Sequence, residues 1–135
     1  MITIDHVAGY ARPPQEIFAV LSDLEGYPRW QVDVLEARRT EEGVAQVRKV
    51  MGRRAEIDLN VTEFLPGERL TLQTAAGTRP GVTQSYVVRP AGQGSEVAFH
   101  LELDGVPKMA EHLVKAQLGK QVPLMFERLG ALLEA

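Results

Sequence analysis

The chain has 135 residues, no cysteine and a formal net charge of −3, with 44% hydrophobic and 24% charged residues. Without a thiol there is no disulfide, cysteine-ligated zinc, iron–sulfur cluster or cysteine nucleophile, and the near-neutral balance gives no overall field for gripping nucleic acid or an anionic membrane. A chain of this length buries about two-thirds of its surface, enough for one core; no run approaches the ~20 apolar residues of a spanning helix, and Met1 to Asp5 does not read as a signal peptide, so the expectation is one cytoplasmic domain over residues 1–135.

Ile2 and Ile4 open a short strand with one buried face. Pro13-Pro14 ends it and suits the first turn of a helix, in which Ile17, Phe18, Val20, Leu21 and Leu24 recur at helical spacing. Gly26 and Pro28 break that helix, leaving a short second turn that delivers Tyr27 and Trp30. Six strands are then expected: Val32 to Thr40, Val44 to Met51, Ala55 to Phe64, Leu70 to Ala75, Val82 to Arg89 and Glu96 to Asp104. Glu41-Glu42-Gly43, Gly52, Pro66-Gly67, Ala76 to Gly81 and Ala91 to Gly94 separate them. Turns about ten residues apart mark an antiparallel meander. From Pro107 onward the period becomes helical, with Val114, Leu118, Val122, Met125, Leu129 and Leu132 on one stripe. Pro123 lies inside it and cannot bond the carbonyl of Gly119, so a kink rather than a stop is expected.

An antiparallel sheet with one apolar face must cover that face, and only the C-terminal helix is long enough. A straight helix across a curved sheet touches it at the ends and leaves space in the middle. A dry void of about 300 Å³ would cost about 7 kcal/mol, a large part of a typical total stability of ~5–15 kcal/mol. Such a space therefore persists when water or a ligand occupies it.

The segments Ala11-Arg12-Pro13-Pro14-Gln15-Glu16-Ile17-Phe18, Leu21-Ser22-Asp23 and Tyr27-Pro28-Arg29-Trp30 resemble the amino-terminal signature of the polyketide cyclase/dehydrase and lipid-transport family, within the START/Bet v 1-like superfamily. Val61 to Leu70 and Tyr86 to Val97 (through Arg89-Pro90 and Gly94-Ser95-Glu96) agree with it. The resemblance implies an α+β helix-grip fold: a seven-stranded curved antiparallel sheet wrapped around a long C-terminal helix, two short helices between strands 1 and 2, and a cavity between sheet and helix. It implies little about chemistry, because family members bind or transform very different ligands.

Gln84 and Tyr86 alternate onto the face of Val82 and Val88. A buried amide and phenol must find partners or each costs about 1–3 kcal/mol, so they either orient a ligand or satisfy each other, the backbone or a water. Trp30, where the helical hairpin meets the sheet, either stacks on a flat ligand at the rim or plugs the end of the core; the resemblance favours the plug. One of Arg48 and Lys49 must point to the concave face, where an arginine would clamp a carboxylate or enolate; with Arg53 and Arg54 the remaining charges read as solvated.

His6, His100 and His112 fall on separate elements with no metal-ligand spacing, so no metal site is expected; His100 and His112 read as outward. Ser22, Ser85 and Ser95 lack a nucleophile setting, and Gly92-Gln93-Gly94 joins two strands, so it is no dinucleotide fingerprint. Met109 and Met125 are either adaptable ligand contacts or plain core.

The leading expectation is therefore a binder of a small, largely hydrophobic molecule (lipid, quinone or polyketide-like), with no cofactor, no nucleic acid, no membrane insertion, and a protein partner not indicated. The expected lining is Leu59, Val61, Leu72, Gln84, Tyr86, Phe99, Leu101, Leu118, Val122 and Met125, with Trp30 at an end. The alternative is a polyketide cyclase or dehydratase using Tyr86 as general acid and an inward Arg48 to steady an enolate oxygen. That alternative lacks an evident base.

Overall fold

A computed structural model describes residues 1–134. Strand β1 (Ile2–Tyr10) alternates inward and outward residues, and Pro13-Pro14 launches α1 (Pro14–Ser22), which buries Ile17, Phe18 and Leu21. A 3₁₀ turn over Leu24–Arg29 follows and buries Leu24 and Tyr27. Six strands succeed it: β2 (Val34–Arg39), β3 (Gly43–Val50), β4 (Arg53–Leu65), β5 (Arg69–Gln73), β6 (Gly81–Ala91) and β7 (Gly94–Asp104). The helix α2 (Lys108–Glu134) ends the chain.

All pairings are antiparallel and the seven strands lie in the order β1-β7-β6-β5-β4-β3-β2. The expected helix-grip architecture is thus present, with each anticipated element in its place. Strand β2 starts later than the sequence suggests: Gln31 to Asp33 form an irregular step, closed by a hydrogen bond from the Val34 N–H to the Gln31 carbonyl. Helix α2 runs unbroken through Pro123, which is exposed. Gly94 sits where β7 begins beside the end of β1, and an added Cβ would collide with the Tyr10 carbonyl, so only glycine fits there.

The concave face carries Val82, Gln84, Tyr86 and Val88 from β6 and Val97, Phe99 and Leu101 from β7, all buried. The C-terminal half of α2 closes onto them with Val122, Met125, Phe126 and Leu129. Aromatic rings dominate this contact. The Phe126 ring lies 5.3 Å from Phe99 and 6.0 Å from Trp30, and Tyr86 lies 5.1 Å from Phe99. Trp30 packs edge-on to Tyr27 at 5.0 Å and is fully buried. It is the plug of the core rather than a rim residue.

Before Val122, α2 has no buried side chain. The gap between helix and sheet therefore does not lie midway along α2. The aromatic cluster fills the space beneath the C-terminal half, and the N-terminal half stands over open volume.

Candidate functional site

That volume is a cavity of about 670 Å³, lined by residues of β3, β4, β6, β7, α2 and four connections. Its inner wall is largely apolar: Ile57, Val82, Leu101, Leu103, Val106, Val114 and Leu118. It reaches the surface where the β3–β4 hairpin (Val50, Met51), the β5–β6 connection (Thr78, Arg79, Pro80) and the β7–α2 connection (Val106, Pro107) converge. The register explains the opening. Strand β5 pairs with β4 only from Asn60 to Leu65, because the chain leaves the sheet after Gln73. Residues Arg53 to Leu59 of β4 therefore have no neighbouring strand on that side, and Ala55, Glu56, Ile57, Asp58 and Asn60 all border the cavity.

One polar group of chemical interest faces this space. In the β2–β3–β4 register, Arg48 shares the concave face with Val44 and Gln46, while Lys49 alternates away. The Arg48 guanidinium lies 3.2 Å from an Asp33 carboxylate oxygen, and both side chains are only 15% exposed. Its Nε donates to Gln46 Oε1 at 2.9 Å and its Nη2 to Gln31 Oε1 at 2.8 Å. The Gln31 Nε2 in turn donates to the Tyr86 hydroxyl at 3.0 Å. A guanidinium carries five N–H donors. Gln46, Gln31 and the Asp33 carboxylate account for three of them, and the other two have no protein acceptor among the described residues.

Behind this cluster the site is fully buried. Tyr86 is fully buried, and that burial holds its hydroxyl far above the usual phenol range; Tyr27 is raised for the same reason, and donates to the Leu21 carbonyl at 2.6 Å. A phenol so placed holds its proton tightly and meets the cavity only through Gln31 and Arg48. Three buried polar atoms among the described residues lack a partner: Trp30 Nε1, Gln46 Nε2 and Gln84 Oε1. Gln84 and Tyr86 do not satisfy each other.

Of the side chains expected to line a ligand site, Leu101 and Leu118 border the cavity, as does Arg48. Leu59, Leu72, Gln84, Tyr86, Phe99, Val122, Met125 and Trp30 are buried in the core beyond it. Val61 borders a separate recess of about 200 Å³ with Ser22, Leu24, Arg39, Phe64 and Leu70. Asp33, Gln31 and Gln46 were not anticipated. Gln46 had a signal, since its alternation with Val44 and Arg48 puts all three on one face; Gln31 and Asp33 lie on the irregular step before β2 and had none. His6 stacks on Phe126 at 5.2 Å, whereas His100 faces outward and bonds Asp5 at 2.6 Å and Glu102 at 2.9 Å. Met125 is core and Met109 is almost fully exposed. No metal-binding group of His, Asp and Glu occurs among the described residues, and no helix is long and apolar enough to cross a membrane.

A curved seven-stranded sheet gripping a C-terminal helix, with an apolar cavity between them, defines the START/Bet v 1-like helix-grip class. The family model described as polyketide cyclase / dehydrase and lipid transport matches residues 1–134, and the chain belongs to that family. Among solved structures it resembles a START superfamily protein from Mycobacterium smegmatis, with a TM-score of 0.82 and 14% identity over 98% of this chain and 97% of that one. It also resembles StfQ, a di-domain ARO/CYC protein of the steffimycin biosynthetic pathway, with a TM-score of 0.78 and 12% identity. That match covers 98% of this chain and 50% of StfQ. BexL, a di-domain ARO/CYC protein of the BE-7585A biosynthetic pathway, gives a TM-score of 0.75 at 14% identity, covering 97% of this chain and 46% of BexL. Identities this low speak to the fold alone. No curated protein matches the chain significantly.

Proposed function

We propose that the protein binds a small, largely apolar molecule bearing a neutral oxygen acceptor, such as a carbonyl or quinone oxygen, with the acceptor at Arg48 and the apolar body along Val82, Leu101, Leu103, Val114 and Leu118. The observation that carries this reading is the cavity itself. Its volume of about 670 Å³ falls within the ~300–1,000 Å³ of small-molecule sites, and its inner wall is apolar apart from the poorly exposed Arg48–Asp33 pair, while Lys49, Glu56, Asp58 and Arg79 of the lining are exposed. Kept dry, such a volume would cost about 16 kcal/mol, so in solution it holds water or a ligand, and an apolar ligand displaces water that the wall cannot bond.

Asp33 narrows the acceptor. It already neutralises Arg48 at 3.2 Å, so a ligand carboxylate would bring a second negative charge into a poorly solvated pocket. A carbonyl takes the two spare N–H donors without that cost. This sharpens the expectation of a carboxylate or enolate clamp towards a neutral carbonyl compound. The thermal unfolding temperature, measured with a panel of quinones, terpenoids, fatty acids and aromatic polyketides, tests it. At a ligand concentration about 100 times Kd, stabilisation is about 2.7 kcal/mol, roughly 10 °C for a chain of this size. A panel without any shift refutes the reading.

A second reading, an enzyme of the cyclase or dehydratase type, gains one specific observation. Asp33 is a carboxylate bordering the cavity, and it supplies the base that the sequence alone does not offer. In this reading Arg48 steadies a developing enolate and Asp33 takes a proton from the adjacent carbon. Tyr86 is buried too deeply to be the proton donor that the sequence suggested, and serves to hold Gln31 against Arg48. Turnover of an aromatic polyketide analogue that is lost in Asp33→Asn while binding persists would establish it.

A further inference from the structure

Along the lateral gap, β4 carries a strand edge that the protein leaves unpaired. Successive residues of a strand turn their backbone N–H and C=O groups to opposite sides. The Val61 N–H donates to the Glu42 carbonyl at 2.7 Å, so Ala55, Ile57, Leu59 and Val61 turn theirs toward β3. The N–H and C=O groups of Arg54, Glu56 and Asp58 therefore point into the gap, with no strand beside them. Exposed edges are ordinarily blunted by bulges, prolines or short length. Here the register with β3 is continuous from Gly43 opposite Asn60 to Val50 opposite Arg53, no proline interrupts it, and the irregularity facing β5 falls between Val61 and Glu63. The β5–β6 connection does not fill the gap, because it is held against β6. The Thr74 N–H donates to the Val82 carbonyl and the Thr74 hydroxyl accepts from the Val82 N–H, each at 3.0 Å.

The two faces of this edge call for different side chains. On the concave face Ala55 and Ile57 border the apolar cavity. On the convex face Arg54 is paired with Glu36 at 2.9 Å, whereas Glu56 and Asp58 are exposed and have no ion-pair partner among the described residues. Their neighbours across β3 are Val47 and Ala45, so no cation stands opposite either carboxylate within the sheet. The vacant strand position on the other side is the one place beside them where cations could stand in register. Lys49 lies opposite Arg54 and Arg79 stands on the far rim of the gap, and neither is within ion-pair distance of the two acids.

We propose that this edge binds an extended peptide segment of a partner protein, in which cationic and apolar residues alternate, as an added strand antiparallel to β4 and in line with β5. Directly opposed residues of an antiparallel pair share a face. Residues opposite Glu56 and Asp58 are therefore the cations, and their own N–H and C=O groups make the backbone bonds. The apolar residues between them turn into the cavity mouth over Ala55 and Ile57. In strand addition the backbone bonds supply affinity and alternate side chains supply selection; opposite charges across the pair favour it and like charges oppose it. The pairing goes beyond the small-molecule function above and does not rest on it.

The experiment is fluorescence anisotropy of a labelled, end-blocked heptapeptide, Lys-Val-Lys-Val-Lys-Val-Lys, titrated with the full chain. Saturable binding is expected, with the NMR amide signals of Glu56 and Asp58 shifting and their exchange with deuterium slowing in step. Methylating the backbone nitrogens of the lysines should abolish binding, because those N–H groups face β4. Methylating the backbone nitrogens of the valines should be tolerated, a contrast that simple attraction of a polycation would not produce. Glu56→Gln and Asp58→Asn should each weaken binding up to about fivefold without lowering the unfolding temperature, since both side chains are exposed. Arg79→Gln should not weaken it, and a peptide with glutamate in place of lysine should not bind. No binding, undiminished binding of the lysine-methylated peptide, or affinity untouched by both acid substitutions overturns the proposal. So does a dimer of the chain that the peptide dissociates, which would assign the edge to a second copy. Absence of peptide binding while apolar ligands still raise Tm sinks only the strand addition; peptide binding with no ligand shift sinks only the cavity reading.

Discussion

Replacing Arg48 with methionine removes the charge at the centre of the site while keeping an unbranched apolar stem. Asp33 is left 15% exposed without its cation, and the side-chain oxygens of Gln31 and Gln46 lose their donor. Breaking a buried pair from one side costs about 3–5 kcal/mol. Here the cavity gives water some access to Asp33, so about 3 kcal/mol is expected, which corresponds to a fall of roughly 10 °C in Tm. Urea unfolding followed by the fluorescence of Trp30, the single tryptophan, reads this directly. Adding Asp33→Asn to Arg48→Met removes the orphaned charge and should recover about 1–2 kcal/mol, a coupling within the range for residues in contact. Binding of a carbonyl ligand should fall about 10-fold or more in both backgrounds, because a hydrogen bond from a charged donor contributes about 1.5–3 kcal/mol. Additive stability effects of the two substitutions would mean that the pair is not formed, and undiminished carbonyl binding would mean that Arg48 does not face the ligand.

Three further outcomes follow from the same geometry. Tyr86→Phe leaves the Gln31 amide without its acceptor and should cost about 1–3 kcal/mol, while ligand affinity, measured by fluorescence titration, stays within about twofold because Tyr86 does not border the cavity. Amides of α2 from Lys108 to Gln121, where no side chain is buried, should exchange with deuterium faster than those from Val122 to Glu134 and slow on ligand binding; equal protection of the two halves counts against an open cavity. The hydrogen bonds from His100 to Asp5 and Glu102 raise its pKa above 6.5, so the folded state favours the imidazolium. That stabilisation is complete below the unfolded value and lost as pH rises through the folded one. Tm should therefore decline over that interval, and His100→Asn should flatten the profile.

Much of this was legible in the sequence where a periodicity reported on one continuous face. The alternation of Val97, Phe99 and Leu101 and the helical stripe from Val122 to Leu132 define the two surfaces that grip each other. The site was less legible because its position depends on volume rather than period. An inward alternation does not distinguish a side chain packed against rings from one that borders open space: Phe99 and Leu101 are successive inward residues of β7, yet Phe99 meets Tyr86 and Phe126 while Leu101 meets the cavity. Phe126, one residue off the predicted stripe, is what closes the far end. The mouth exists because β5 stops at Gln73, five residues into the strand, and the sequence there carries no breaker until Gly77. Asp33 carries no periodic signal for a related reason, as it lies on the irregular step before β2.

Methyl NMR spectra of the protein titrated with whichever carbonyl ligand raises Tm most give the most direct test of the central claim. The account predicts shifts at Val82, Leu101, Leu103, Val114 and Leu118, which border the cavity, with Leu72, Val97 and Leu129 of the packed core little changed. Shifts concentrated at Leu72, Val97 and Leu129, or at no methyl group at all, would contradict it.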